Sequence, residues 1–175
     1  KIRGGYDYAL LLFYQNLELS KQLDDTQEES VALSNIGVAY YNLKDYKKGI
    51  QYFIEANKVD ALADHRSALL FANISLCYAF LNDLCNARVY IDESIRFCKG
   101  DCPIGVRTNI EYTLGLIAKI EKDYAVAERH FLSSYSLALA SHQTRFQFDN
   151  IYLLTELFIE QKRFSTAVGY GLRRN

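Results

Sequence analysis

The sequence predicts an all-α protein made of stacked helix pairs, and three observations carry that prediction. One Pro and nine Gly in 175 residues supply too few turn formers for an all-β chain. Apolar residues recur at spacings of three and four, the signature of one buried face per helix. The third observation is repetition. Stepping from Tyr6 leads to Tyr46, Leu84, Tyr124 and Phe164, at intervals of 40, 38, 40 and 40 residues.

Composition bounds the function. Half the residues are apolar, with 14 Tyr and 10 Phe, enough to build a packed core. Lys and Arg (20) nearly cancel Asp and Glu (21), and no block of like charge stands out. That balance argues against nucleic acid or an anionic membrane as main partner, because both call for a basic face. The longest apolar run, near Tyr8–Tyr14, is far short of the roughly 18 residues of a membrane span. No signal-peptide pattern opens the chain, so the expected location is the cytoplasm. Starting at Lys1 and lacking Met, the chain reads as a piece of a longer or processed protein.

The elements follow in order. Residues 1–23 carry the second helix of a truncated repeat, with Tyr6, Ala9 and Phe13. Residues 24–60 form a full repeat. Its first helix opens at Thr26–Glu29, which have the spacing of a capping box, and carries Ile36, Gly37 and Tyr40. After a break at Lys44-Asp45, its second helix carries Tyr46, Gly49 and Phe53. Residues 61–98 repeat this with Ile74, Ser75 and Tyr78, then Leu84, Ala87 and Ile91. Residues 99–140 follow with Leu114, Gly115 and Ala118, then Tyr124, Ala127 and Phe131. Pro103 fits the first turn of this repeat, after a Lys-Gly-Asp break at 99–101. Residues 141–175 close the array with Leu154, Thr155 and Phe158, then Phe164, Ala167 and, against the pattern, Gly171. Asp45, Asp83 and Asp123 each precede a second helix, where a carboxylate accepts the free amides of the first turn. A small residue facing a large one lets two helices cross closely. The whole, 1–175, reads as one domain of nine helices.

This pattern resembles the tetratricopeptide repeat (TPR) family over essentially the whole chain: a Leu/Ile-Gly pair, Tyr three on, then Tyr, Ala and Phe in the second helix. It departs in period, near 40 rather than about 34, and in lacking the Pro that often closes each repeat. Repeats of this length resemble those of kinesin light chain and of bacterial regulators with helical-repeat sensor regions. The resemblance implies a right-handed α-α superhelix whose first helices line a concave groove that holds a protein or peptide segment. The groove columns then give Ser34, Asn35, Val38, Asn73, Leu76, Asn109, Tyr112, Leu116, Tyr152 and Glu156 as candidate ligand contacts.

None of the sixteen positions in the four columns is Lys or Arg, which argues against a clamp on a peptide's C-terminal carboxylate. Asn35 and Asn73 offer another mode: an amide side chain bonds both the C=O and N–H of a peptide unit, a role the resemblance implies for this column. The alternative is that both are solvated or bond neighbouring helices. Tyr41, Phe80, Tyr112 and Tyr152 serve either as ligand anchors or as packing between repeats. Asp149, Glu156 and Glu160 would meet a basic ligand residue or form an ordinary solvated face.

Chemistry is not expected. The sequence holds no G-x-S-x-G, phosphate-cradling glycine loop or H-E-x-x-H, and no metal or cofactor is implied. His65, His130 and His142 lie at no ligand spacing from the four cysteines. Cys98 and Cys102 could close a small disulfide loop outside the cytoplasm, but free thiols in a reduced compartment are the favoured expectation, since a core of this size needs no staple. An alternative to peptide binding is a structural role. Here the groove is filled by a flanking helix or another subunit, and the N-terminal half repeat self-associates.

Overall fold

The computed structural model describes residues 3–59, 65–98 and 102–171. Among the described residues are nine α-helices and no strand. They are α1 (Arg3–Gln22), α2 (Thr26–Asn42), α3 (Tyr46–Val59), α4 (His65–Phe80), α5 (Leu84–Phe97), α6 (Ile104–Ile120), α7 (Tyr124–Ala140), α8 (Thr144–Glu160) and α9 (Phe164–Gly171). The chain divides into two compact units, Lys1–Phe97 and Cys98–Asn175, and within each unit helices adjacent in sequence pack against each other. The Lys-Gly-Asp break at 99–101 and the tail at 172–175 lie outside the described residues.

Six of the interhelical turns share one geometry. Asp24, Lys44, Asn82, Lys122, His142 and Lys162 adopt left-handed backbone, with φ between 53° and 65°. In each turn the following residue returns its amide to a carbonyl five residues back, as in Asp45 to Tyr40, Asp83 to Tyr78 and Asp123 to Ala118, all 2.9 Å. This is the Schellman closure, which satisfies carbonyls that a helix end leaves bare. It hands the chain to the next helix at its N-cap. The carboxylates of Asp25, Asp45, Asp83 and Asp123 accept the amides of Glu28, Lys48, Asn86 and Val126 at 3.0–3.3 Å.

Two boundaries shift by one residue from the sequence reading. Asp25, not Thr26, caps α2, because the left-handed Asp24 places the next residue there and Thr26 is already helical. Pro103 is likewise the N-cap of α6, extended at φ −53°, ψ 137°, rather than its first turn.

Within a pair the crossing is set by a glycine under an aromatic ring. A Cβ on Gly37 would lie 2.6 Å from the Phe53 ring, and one on Gly115 2.6 Å from the Phe131 ring. In the second pair the same positions hold Ser75 and Ile91, both buried: the column gains a hydroxymethyl and its counterpart loses a ring.

Each of the three pairs from α2 to α7 also carries a buried hydroxyl bond from one helix to the other's backbone, a feature the sequence reading did not include. Ser30 on α2 donates to the Ala56 carbonyl on α3 at 2.9 Å. At the same place in the next two pairs the donor sits on the second helix instead, and the second pair adds a bond from Ser75 on α4 to the Ala87 carbonyl on α5 at 2.6 Å. Ser94 donates to Ala68 at 2.7 Å and Ser134 to Thr108 at 3.0 Å. The two columns are Ser30, Ala68, Thr108 and Ala56, Ser94, Ser134, so the bond persists while its donor changes side.

The cysteines require one correction. Cys98 and Cys102 are joined as a disulfide, with Cα atoms 5.1 Å apart, rather than standing as free thiols. That separation lies within the span a disulfide bridges, about 4.4–6.8 Å. Cys77 is buried and Cys85 exposed, both as thiols, and burial pushes the Cys77 pKa up to about 12.

Two outcomes follow for stability. Lys122→Gly raises the stability of the chain by about 0.5–1 kcal/mol in urea unfolding, since glycine removes the Cβ strain of the left-handed region; an unchanged or lower midpoint counts against strain at that turn. Ser30→Ala costs about 1 kcal/mol, and adding Ala56→Ser, which moves the donor to the other helix as in the two later pairs, recovers most of it. A double variant no better than the single one would show that the two positions are not equivalent.

Candidate functional site

A concavity in the first unit lies between α2 and α4. It is a cleft of about 220 Å³ lined by Ser30, Val31, Ser34, Asn35, Arg66, Leu69 and Leu70. The helical period places Val31, Ser34 and Asn35 on one face of α2, and the same period brings Arg66, Leu69 and Leu70 to the facing side of α4. Apolar Val31, Leu69 and Leu70 stand beside the polar side chains of Ser34, Asn35 and Arg66. The hydroxyl of Ser30 is committed to Ala56.

Two candidate residues of the sequence reading, Ser34 and Asn35, therefore line one cleft. Asn73 is half-buried one turn further along α4. Val38 and Tyr41 are partly buried against the core of the first unit, and Leu76 is buried within α4. Tyr41 packs on Tyr46 and Phe80 with ring centroids 5.8 Å away in each case, while Tyr46 and Phe80 stack at 5.1 Å. Phe80 keeps 39% of its surface exposed beside this cluster.

In the second unit Asn109, Tyr112 and Leu116 are buried on α6. The Tyr112 ring sits between Phe131 and Phe146, at 6.2 and 5.4 Å, so it is packing rather than open surface. Tyr152 is half-exposed and donates its hydroxyl to Glu156. Lys119, at the end of α6, bonds Glu156 at 2.8 Å and pairs with Glu160 at 3.4 Å. Burial alone would lower the pKa of Lys119, but the two carboxylates outweigh it and hold it above the usual lysine value. Burial likewise opposes the charge on Glu156, yet the bonds from Lys119 and Tyr152 pull its pKa below the ordinary range. Asp149 pairs with Arg145 at 3.5 Å, though burial still leaves its carboxyl above the usual range. The acidic cluster read from the sequence is thus largely neutralised from within.

Two cations, Arg66 and Lys119, were missed because both stand outside the four columns. Arg66 lies one turn ahead of Leu69, and Lys119 one turn beyond Leu116. The positions matching Arg66 in the other repeats hold Glu28, Val106 and Phe146, so no repeat pattern announces it.

A second row of aromatics joins the two helices of a pair. Tyr40 stacks on Tyr52 (5.4 Å, 7°), Tyr78 on Tyr90 (5.6 Å, 15°) and Phe158 packs on Tyr170 (5.4 Å, 34°). On α1, the Tyr14 hydroxyl joins the first of these, 2.7 Å from Tyr52 and 3.1 Å from Tyr40. In the third pair the same columns hold Ala118 and His130. With no ring to stack on, His130 donates from Nδ1 to Glu111 at 2.8 Å. The bond from His130 overcomes the cost of burial and keeps the Glu111 carboxyl below its ordinary value of 4.5. Among the described residues no group of three His, Cys, Asp or Glu side chains could hold a metal ion. No helix among them is long and apolar enough to cross a membrane.

These pairs, turns and faces define a TPR-like helical-repeat solenoid. No protein-family profile matches the chain. It is 34% identical over 92 residues to outer dynein arm-docking complex subunit 4 of Danio rerio, a stretch that is 53% of this chain and 19% of that protein. Its fold is shared by BtubC (BKLC) from P. vanneervenii, with TM-score 0.70 and 15% identity over 98% of this chain and 72% of that one. The apo form of RapI aligns with TM-score 0.72 and 18% identity over 95% of this chain and 59% of RapI. The MamA RS-1 ArsTM double mutant aligns with TM-score 0.58 and 14% identity over 98% and 84% of the respective chains.

The Glu111–His130 pair gives a pH outcome. Because the folded carboxyl is depressed, its contribution is full above about 4.5 and is lost as pH falls through the lower folded value. Glu111→Gln is therefore less stable than the native chain at pH 6 by thermal melting, and the gap closes on acidification below 4.5. A gap that stays constant with pH would show that the bond to His130 contributes nothing through charge.

Proposed function

We propose that this chain is a binding module that holds an extended segment of another protein across the α2 and α4 faces of its first unit. The observation that carries this reading is the cleft in which Ser34 and Asn35 meet Leu69 and Leu70. It sets amide and hydroxyl groups for a ligand backbone beside apolar walls for its side chains. Asn73 extends the polar line along α4. Binding orders whatever the chain adjoins by fixing the spacing of its hairpins, which suits a sensor or adaptor region of a larger, bacterial regulatory protein. In this reading its role is binding, with no catalytic step.

A second reading, a scaffold or oligomerisation platform, is favoured by α1. Tyr8, Leu11 and Leu19 of that helix and Leu23 just after it are each more than half exposed, at 64%, 53%, 52% and 68%. A self-associating chain would bury this face.

Panning a random peptide display library against the chain and against Asn35→Ala/Asn73→Ala separates the two. Peptides enriched on the native chain and weakened about tenfold or more on the variant, with unchanged circular dichroism, support the groove. No enrichment on the native chain refutes it and leaves the scaffold.

A further inference from the structure

The aromatic rows carry a second regularity. Where a ring stands near the end of a pair's first helix, a cation from just beyond that helix covers it. The Nζ of Lys48 lies 5.0 Å from the centre of the Tyr40 ring, and the Arg163 guanidinium 4.5 Å from that of Phe158. Each of these cations also has a carboxylate. Lys48 pairs with Asp45 at 3.5 Å and Arg163 with Glu128 at 2.7 Å. The third pair has Ala118 in the ring column and nothing to cover. The second pair breaks the rule. Its ring is Tyr78, but the column of Lys48 holds Asn86 and the column of Arg163 holds Asp83, so neither position brings a cation. We infer that the cleft beside Tyr78 takes this cation from outside, as a lone Arg or Lys side chain of a partner protein's segment, set over the ring and against the Asp83 carboxylate.

The chain is open where such a side chain would enter. A cleft of about 620 Å³ is lined by Lys47, Ile50 and Gln51 of α3 and by Tyr78, Leu81 and Asp83. That volume falls in the ~300–1,000 Å³ range of ligand sites, enough for a long basic side chain and part of its backbone. Asp83 accepts the Asn86 backbone amide at 3.1 Å and its Nδ2 at 2.7 Å, and these bonds hold the carboxyl below its usual range. It is therefore ionised at neutral pH. A carboxylate has lone pairs beyond those two bonds, as Asp45 shows by capping α3 and pairing with Lys48 at once. Asp83 also stands close enough to Tyr78 for its charge to add to the rise that burial gives the phenol's pKa, so ring and carboxylate address one spot. Ile50 and Leu81 favour an apolar neighbour on the segment. Lys47, on the α3 wall, repels a second cation and so excludes a polybasic run. It does not exclude the first, because its exposed charge is screened by water while the bound cation touches ring and carboxylate directly. None of these residues lines the α2–α4 cleft, so the inference is independent of that site.

The test pans one random peptide display library against the native chain and against Asn86→Lys. This variant gives the second pair the lysine that the first has as Lys48, and so fills the site from within. Peptides enriched on the native chain should hold a lone Arg or Lys beside an apolar residue above library frequency, and Asn86→Lys should lose that excess. A synthetic peptide from the native set should bind about fivefold or more weakly when its basic residue becomes Gln. The same loss is expected on Asp83→Asn, which keeps a capping side chain without the charge and serves also if Asn86→Lys does not fold. Binding to Asn35→Ala/Asn73→Ala should be undiminished. Enrichment without a basic bias, a bias toward basic runs, or a bias that survives in Asn86→Lys overturns the inference while the α2–α4 reading stands. Loss of the basic peptide on Asn35→Ala/Asn73→Ala also overturns it, by assigning that peptide to the other cleft. No enrichment on the native chain overturns both.

Discussion

The close crossing of the two helices in each hairpin is the constraint on which the rest depends. Phe53 over Gly37 and Phe131 over Gly115 leave no room for even one carbon on the glycine. That proximity brings Ser30 within 2.9 Å of the Ala56 carbonyl and Ser134 within 3.0 Å of Thr108. It also sets the aromatic rows: Tyr40 and Tyr52 stack nearly parallel because the helices bearing them are held at one separation. The faces left over, on the side away from the second helices, are free to differ. The cleft with Arg66 and the Lys119–Glu156 pair both lie there.

How much of this could be read in advance depended on whether a feature lives in one column or in two. The Gly37 and Phe53 columns were legible because each has its own character, and the aspartate caps because one residue type marks them. The turns were legible in position but not in conformation. Left-handed residues are usually glycine, and here they are Lys, Asp, Asn and His, types that carry no such signal in helical surroundings. The hydroxyl bonds were invisible, since Ser and Ala exchange places between columns and neither column alone is constant. Reading by column picked out Ser34 and Asn35, which line one cleft. It gave no warning that Asn109, Tyr112 and Leu116 are packed in, because burial depends on which large side chain, here Phe146, stands on the neighbouring helix.

The third hairpin shows how the architecture tolerates polarity. Where the second has Phe71 against Tyr90, the third has Glu111 against His130, and where the second stacks Tyr78 on Tyr90 the third has only Ala118. An ion-pairing contact replaces an aromatic one in the same space. Asn150, fully buried on α8, extends this by bonding Ser134 on α7 at 2.9 Å.

The change of side made by the buried hydroxyl has a consequence for how such arrays diversify. Hairpins of this kind can be thought of as two half-modules exchanged by recombination, and the serine position divides them into two mating types. Joining α4 to α3 would set Ala68 against Ala56 and lose the bond, whereas joining α4 to α7 would set Ala68 against Ser134 and keep it. Crossovers between whole hairpins preserve the match, and crossovers within them preserve it only where one of the two positions still carries a donor. Duplication in units of a complete pair is then favoured by a single hydroxyl.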